Sequence, residues 1–177
     1  MGEPDHATGG TNMFDITTFT GFHTWLSLIA IASGVVVLAG MFGARLLPLW
    51  TGLFLATAVA TSVTGYGFPF SGVLPSHVVG AIALVILAVT LTARYGFHLA
   101  RAWRWIYVAG AVASLYLLVF VAVAQAFGKV PALHALAPTQ SEPSFAIAQG
   151  VVLIVFVGLG IGAARAFHPR EAQRAFA

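Results

Sequence analysis

Five long runs of apolar residues dominate the chain, and short polar or Gly- and Pro-rich stretches separate them. The runs cover approximately residues 20–43, 47–68, 77–99, 104–127 and 144–167. A helix needs roughly 20 apolar residues to cross the ~30 Å hydrocarbon core of a bilayer. Short connections make successive helices antiparallel neighbours. The pattern therefore predicts an all-α, five-span transmembrane helical bundle.

The same pattern divides the chain into three parts. Residues 1–18 form a polar tail outside the cytoplasm, 19–168 a single five-helix transmembrane domain, and 169–177 a short basic cytoplasmic tail. The first part has no Lys or Arg, so it lacks the basic region of a signal peptide, and we expect the first span to remain in the protein.

The boundaries of the spans carry recognisable capping residues. Candidates for the cap of the first span are Asp15, Thr17, Thr18 and Thr20, and Ser76 is the candidate for the third. Pro48 suits the first turn of the second span. Residues 130–136 predict a short interfacial turn. Thr139 and Glu142 have capping-box spacing, or Glu142 caps the fifth span with Pro143 in its first position.

Composition supports lipid as the solvent of this chain. It is 59% hydrophobic and 7% charged, whereas a soluble domain has about 25% charged residues. There are no cysteines, which excludes disulfides, iron–sulfur clusters and thiolate zinc sites. The basic residues lie at span ends, so the positive net charge indicates membrane topology and not nucleic-acid binding.

Seven of the eight Lys and Arg residues fall on one side of the predicted membrane. They are Arg45, Arg94, Arg101, Arg104, Arg165, Arg170 and Arg174, whereas Lys129 lies on the other side. Cytoplasmic loops carry an excess of Lys and Arg. We therefore predict that the N-terminus is outside and the C-terminus is cytoplasmic.

Polar residues within the spans gather in the outer half of the predicted bundle. Polar groups at membrane depth usually face the bundle interior or a cavity. We expect them to surround one cavity beneath the loops at 66–76 and 129–143. The candidate cofactor-binding residues are His23, Thr61, Thr64, His77, Gln125 and Gln149.

His23 and His77 form the leading pair, because their spans run in the same direction and place them at similar depth. Two opposed imidazoles are possible haem iron ligands for a b-type haem. Alternatively, each histidine is hydrogen-bonded in a structural role. With His134 and Glu142, the pair could also bind zinc or copper. Tyr66, Phe68 and Phe70 are predicted to be interfacial anchors.

Other features give weaker functional indications. His98 and His168 lie at the inner boundary, where a second haem is an alternative to a headgroup-facing role. Gly158 with Gly162, and Gly110 with Ser114, have the small-xxx-small spacing of close helix contacts. No nucleophile–base arrangement stands out, and we find no catalytic residues, so a non-enzymatic role is favoured while an enzymatic one stays open.

The outer loops carry a combination of motifs: residues 68–70 (FPF), 75–77 (PSH), 129–133 (KVPAL) and 137–143 (APTQSEP). With these motifs the chain resembles a group of small bacterial multi-span integral membrane proteins that carry no assigned activity, from about His23 to Phe167. The resemblance implies a bacterial inner (cytoplasmic) membrane location and supplies no catalytic residues. His134 is not part of the pattern.

These observations favour an accessory or interaction subunit of a larger membrane complex, with a pocket for a quinone, lipid or haem in its outer half. The alternative is a stand-alone b-type haem electron-transfer protein with bis-His ligation. A small-solute permeation module is the third hypothesis. The expected partners are the lipid bilayer and a larger membrane-protein complex or a second copy of the chain, and not nucleic acid.

Overall fold

The computed structural model describes residues 14–68 and 75–168, with the side chains of Pro75 and Ser76 excepted. In these ranges the chain is all-helical and contains no strand, which confirms the predicted all-α class. The described helices are α1 (Phe19–Phe42), α2 (Pro48–Thr64), α3 (Pro75–Leu91), α4 (Trp103–Lys129), α5 (Pro131–Leu136) and α6 (Pro143–Ala166).

Four helical segments of the described chain are long and apolar enough to cross a membrane. They are Phe19–Phe42, His77–Gly96, Trp103–Lys129 and Pro143–Ala166. These segments indicate a membrane protein. Helix α2 is shorter, with 17 residues, or about 25 Å at the usual helical rise. A 3₁₀ turn, Gly65–Gly67, extends it.

The start of α1 is fixed by a folded-back segment. Thr18, one of the four predicted candidates, is the N-cap. Its hydroxyl accepts a hydrogen bond from the Gly21 amide at 3.0 Å. Asp15 instead accepts hydrogen bonds from the Thr17 amide and hydroxyl, at 2.9 and 2.7 Å. The Asp15 carbonyl lies directly on Gly21, where a Cβ would come within 1.9 Å of it. Glycine at position 21 therefore permits this close approach.

Other long helices begin at a proline. Pro48 and Pro143 begin α2 and α6, as their sequence positions predicted. Proline suits this position because the first amides of a helix have no intrahelical acceptor. The predicted cap at Ser76 lies outside the described side chains.

The centre of the bundle is the meeting point of α1, α2 and α4. A Cβ at Gly34 would lie 2.7 Å from Leu115 and 2.8 Å from Phe54, so the absence of a side chain allows three helices to converge. Phe54 and Leu115 are each 1% exposed. The core continues to either side through Met41, Leu55, Leu87, Tyr107 and Val108.

Small residues also set the spacing of the outer helix pairs. A Cβ at Gly110 would lie 2.1 Å from Thr90 Oγ1, which confirms close packing of α4 on α3. Gly162 contacts Phe42 of α1, with 2.8 Å between the added Cβ and the ring. Gly158 has no atom within 4 Å of that position in the described structure. The predicted contact is thus present at Gly162 within the bundle, whereas Gly158 makes none with the described residues and its contact with a partner stays a prediction.

Polar chemistry separates the two ends of the bundle. We call the end formed by His23, Thr64, Tyr66, His77 and the segment 129–143 the histidine end. The opposite end, which carries Arg45, Arg94, Arg101, Arg104 and Arg165, is called the arginine end. The predicted turn at 130–136 is the short helix α5.

Candidate functional site

His23 lies in the first turns of α1 and contacts the end of α2. Its Nδ1 is 2.8 Å from Thr64 Oγ1. Gly65 lies beside the same ring, and a Cβ at this position would be in ordinary contact with the imidazole Cε1 at 3.8 Å. The ring is partly exposed, and its Nδ1 is held against α2.

The hydrogen bonds of Thr64 favour one tautomer of His23. The Thr64 hydroxyl donates to the Ala60 carbonyl at 2.7 Å. A hydroxyl has one hydrogen and accepts with its lone pairs, so with that hydrogen directed to Ala60 the bond to the imidazole takes its hydrogen from His23 Nδ1. In the neutral ring Nε2 then carries a lone pair. We infer this assignment from the hydrogen-bond network. His23 therefore presents an acceptor, or a metal-ligating nitrogen.

Aromatic residues surround the same imidazole. The Phe68 ring stands edge-on to His23, with centroids 5.2 Å apart, and it also contacts Phe19 at 5.0 Å. Gly67 allows the Phe19 ring to approach, since a Cβ there would lie 2.6 Å from its tip. Lys129 lies close enough to His23 for an electrostatic interaction. The His23 site thus combines apolar walls with a nearby positive charge.

His77 is buried at the start of α3 and contacts a different residue of the same connection. Its ring centroid lies 5.5 Å from that of Tyr66. The Tyr66 hydroxyl donates to the His77 carbonyl at 2.8 Å. The Tyr66 ring also lies over Gly80, at 3.3 Å from an added Cβ. Tyr66 therefore joins the end of α2 to α3.

Together, these contacts place both histidines around the connection that follows α2. His23 meets Thr64 and Phe68, whereas His77 meets Tyr66. Helix α2 packs against both α1 and α3. Tyr66 and Phe68, predicted as interfacial anchors, are contact residues of the histidines, and the glycines that flank Tyr66 are the sequence signal for such close packing. Phe70 lies outside the described residues. Bis-His haem ligation stays a prediction.

The remaining predicted site residues occupy different environments. Thr61 is buried, and its Oγ1 has no hydrogen-bond partner among the described residues. Gln149 is also buried and donates from Nε2 to the Phe120 carbonyl at 3.0 Å, while its Oε1 has no partner in the described structure. These two side chains retain hydrogen-bonding capacity on α2 and α6.

Gln125 is exposed on α4, so the expectation that all six polar residues face one interior cavity is wrong for this residue. The inward position is taken by Phe127, which is 7% exposed. Its ring meets Phe145 of α6 edge-on at 5.4 Å. Residues two apart on a helix point in directions roughly 200° apart. Burial of Phe127 therefore turns Gln125 outward.

The four-residue zinc or copper alternative is not formed in the described structure, where no group of three or more His, Asp or Glu side chains could hold a metal ion. His134 is exposed on α5. Glu142 Oε1 accepts hydrogen bonds from the Thr139 amide and hydroxyl at 3.1 and 2.9 Å. The carboxylate is thus engaged with its own loop.

The side chain of Glu142 bonds to Thr139 and does not cap α6. It occupies the N-cap position of α6 and makes no side-chain cap. Its Oε2 accepts from the Ser141 amide at 3.1 Å, so the predicted contact with Thr139 forms within the loop. Desolvation raises the pKa of Glu142, but the hydrogen bonds from Thr139 and Ser141 outweigh it, and the pKa lies below its usual value.

The loop that carries Glu142 is packed onto α4. Gln140 donates from Nε2 to the Ala124 carbonyl at 2.9 Å, and the Ser144 hydroxyl donates to the Leu136 carbonyl at 2.7 Å. Ala137 is fully buried. The segment 129–143 is therefore an ordered cover at the histidine end.

Comparison with protein-family models, with curated proteins and with solved structures gave no match. The geometry of the site is therefore the basis for any functional conclusion.

Proposed function

We propose that the chain is a five-span protein of the bacterial inner membrane, with its N-terminus outside and its C-terminus cytoplasmic. Four apolar helices support the membrane location, and the close packing of α2 on α1 supports α2 as a fifth span. The division of Lys and Arg supports the orientation. Reporter fusions at both termini test it, and a cytoplasmic N-terminus would contradict the proposal.

Within this topology the histidine end binds the head group of a hydroquinone, as part of a subunit of a larger membrane complex. The observation that carries this proposal is the hydrogen-bonded chain from His23 Nδ1 through Thr64 Oγ1 to the Ala60 carbonyl. It leaves His23 Nε2 as an acceptor on a partly exposed ring. A ligand there must donate a hydrogen bond.

A hydroquinone meets this requirement, whereas the oxidised quinone offers carbonyl acceptors alone. Its ring suits the aromatic walls formed by Phe19 and Phe68, because aromatic rings favour edge-on and offset contacts. Its isoprenoid tail is soluble in the surrounding lipid. The ligand is thus recognised by one polar contact and a largely apolar surface, which is typical of small-molecule sites.

Binding of a short-chain ubiquinol to the purified protein tests the proposal. We expect the reduced form to raise the thermal unfolding midpoint more than the oxidised form does. His23→Ala should abolish the difference, because it removes Nε2. His134→Ala is the matched control, since His134 is exposed on the covering loop, and it should bind as the wild type does. Equal effects of both redox forms in all three proteins would contradict the proposal.

The subunit role is supported by the surface of α6. Only 6% of its membrane-spanning window is buried within the described chain, so most of its apolar surface is available to lipid or to a partner helix. Mild extraction from native membranes followed by size analysis tests this part. A particle of monomer size would contradict membership of a larger complex.

A b-type haem is the second candidate, favoured by the same neutral imidazole nitrogen, which is the form that ligates iron. The visible absorption spectrum of the purified protein distinguishes the two ligands. With bis-His haem, a Soret band is present and both His23→Ala and His77→Ala abolish it. With hydroquinone, no Soret band is present, and ubiquinol binding depends on His23.

A further inference from the structure

Arg94 occupies an irregular turn at the arginine end. Residues Thr92–Gly96 continue α3 as a π-helical turn, closed by a hydrogen bond from the Phe97 amide to the Thr92 carbonyl at 3.0 Å. Single π-turns are rare in proteins, but those that occur are often at functional sites. The wider turn changes the direction of the side chains that follow α3, and Arg94 is in its middle.

The Nε of Arg94 is buried and has no hydrogen-bond partner among the described residues. The guanidinium carbon lies 5.4 Å from the centroid of the adjacent Tyr95 ring. A buried donor without an acceptor is costly, and more so when it is charged. The described carboxylates, Asp15 and Glu142, both belong to the histidine end. The described part of the arginine end therefore contains no carboxylate to pair with Arg94.

Hydroxyl groups cluster beside this guanidinium. Thr51 and Tyr107 are each 1% exposed, and their hydroxyl oxygens are 3.4 Å apart. The Tyr107 hydroxyl lies within electrostatic range of Arg94. The Tyr95 hydroxyl lies 4.0 Å from the Cβ position of Gly52 in α2. Three hydroxyls and a guanidinium thus converge where α2, the π-turn and α4 meet.

The start of α2 adds donors to the same region. Its N-cap residue, Leu47, makes no side-chain cap, and Thr51 in its first turns contacts Tyr107. Helix N-termini favour anions because the amides of the first turn and the helix dipole point outward. Together with the buried Nε of Arg94, this arrangement offers several donors and a positive charge to one acceptor-rich group.

The other arginines at this end differ from Arg94. Arg104 donates to the Phe167 carbonyl and stacks on Trp105, with its guanidinium carbon 4.4 Å from the ring centroid. The side chains of Arg45, Arg101 and Arg165 are exposed and are hydrated at a membrane boundary. Arg94 is thus distinguished by its buried, unsatisfied donor and its hydroxyl neighbours.

We infer that Arg94 binds a phosphate group, with Thr51, Tyr107 and Tyr95 as neighbouring hydroxyl donors. Arginine binds phosphate through two parallel N–H donors, and Nε is one of the donors that such a pair uses. The phosphate comes from an anionic phospholipid or from a soluble phosphate. Both share the same oxygen acceptors, and the site is at the end of the bundle where headgroups lie in the proposed topology.

Lipid retention and thermal unfolding together test this inference. Wild type, Arg94→Gln and Arg45→Gln are purified in detergent and supplied with phosphatidylglycerol, phosphatidylcholine or inorganic phosphate. Arg45 is the matched control, an exposed arginine at the same end. We expect Arg94→Gln to weaken phosphatidylglycerol binding roughly tenfold, the loss that follows from removing a charge-assisted hydrogen-bond pair. Arg45→Gln should leave it within about twofold, as an exposed charge contributes little.

The two phosphate sources give distinct outcomes. Stabilisation by phosphatidylglycerol but not by inorganic phosphate, lost in Arg94→Gln, supports a lipid site. Stabilisation by inorganic phosphate that is lost in Arg94→Gln supports a soluble phosphate site. Equal losses in Arg94→Gln and Arg45→Gln would overturn the inference, because general surface charge would then explain binding.

A second variant covers the case in which Arg94→Gln does not fold. Arg94→Lys keeps the charge but loses Nε and the planar pair of donors. Reduced phosphate binding by a folded Arg94→Lys supports the site. Binding equal to that of the wild type would overturn it.

Discussion

The histidine end and the arginine end satisfy their polar groups in different ways. At the histidine end, His23, Thr64, Tyr66 and Glu142 are hydrogen-bonded within the protein. At the arginine end, the described residues include five arginines and no carboxylate, and Arg94 keeps a buried donor without an acceptor. The first end offers an acceptor, His23 Nε2, and the second offers donors. The two ends therefore present different hydrogen-bonding groups to a ligand.

Their packing differs as well. The half of the bundle towards the arginine end has helices in direct contact, as at Gly110 and Thr90. The histidine end is held by connections, through Tyr66 on α3 and Gln140 on α4. Close helix packing resists change more strongly than an exposed connection, because the interior is dense and cannot absorb added atoms. Substitutions at the two ends should therefore have effects of different size.

The largest effect is expected for Gly110→Ala. The added Cβ would lie 2.1 Å from Thr90 Oγ1, and Thr90 is fully buried. Either Thr90 rotates and loses its hydrogen bond to the Ile86 carbonyl, or α3 and α4 separate. Overpacking of this kind costs about 1–3 kcal/mol, measured as a loss of unfolding free energy in detergent. Gly158→Ala is the matched control. A Cβ at position 158 has no described atom within 4 Å, and the better helix propensity of alanine predicts no loss of unfolding free energy. Equal destabilisation of both variants would show that loss of glycine, and not the contact, is responsible.

A smaller effect is expected for Thr64→Val at the histidine end. Valine is nearly isosteric but cannot bridge His23 and Ala60, so stability should fall by about 1 kcal/mol. Because the imidazole can then adopt either tautomer, ubiquinol binding should weaken as well. Thr57→Val is the control, since Thr57 bonds within its own helix, to Leu53 at 2.7 Å. If ubiquinol binding is unchanged in Thr64→Val, the tautomer of His23 does not determine ligand recognition.

The smallest effect concerns acid sensitivity. The pKa of Glu142 is lowered in the folded protein, so its contribution to stability is present above the unfolded pKa. That contribution is lost as pH falls through the lower folded pKa. Glu142→Gln should therefore lose less stability between pH 6 and about pH 3 than the wild type does. Thermal unfolding across this range checks it, and parallel curves would contradict a role for the Glu142 hydrogen bonds.

Asp15 provides an independent comparison at the same end. Hydrogen bonds from the Thr17 hydroxyl and amide lower its pKa, so Asp15→Asn should also reduce acid sensitivity. Both residues are exposed or partly exposed, and each effect should be a shift of a few degrees or less in the unfolding midpoint.

Much of the fold could be predicted from the sequence because the four longest helical segments are long apolar runs, which are typical of membrane spans. The helix starts at Pro48 and Pro143 followed from the missing proline amide. The end of α3 did not follow, because the π-turn at Thr92–Gly96 depends on how α3 meets α4, and no local residue pattern encodes that contact.

The site was predicted in its residue types more than in its contacts. His23 and Thr64 do meet, since α1 and α2 are antiparallel neighbours and place both at the same depth. The role of Tyr66 could not be read from hydropathy, because an aromatic residue at a span end fits an anchor equally well. Gln125 was misplaced because depth in the membrane is set by position along the chain, whereas direction is set by which neighbour packs best, here Phe127.

The short length of α2 has a consequence for biogenesis. With 17 residues and three threonines among its buried positions, it is a weaker insertion signal than the other long helices, because each polar side chain raises the cost of transfer into lipid. Only a few residues separate it from α1, and Thr57 and Thr64 donate hydrogen bonds to the backbone of α2 itself. We therefore expect α1 and α2 to leave the translocon as one hairpin, so that truncation of the nascent chain within α2 leaves α1 in the membrane without its partner.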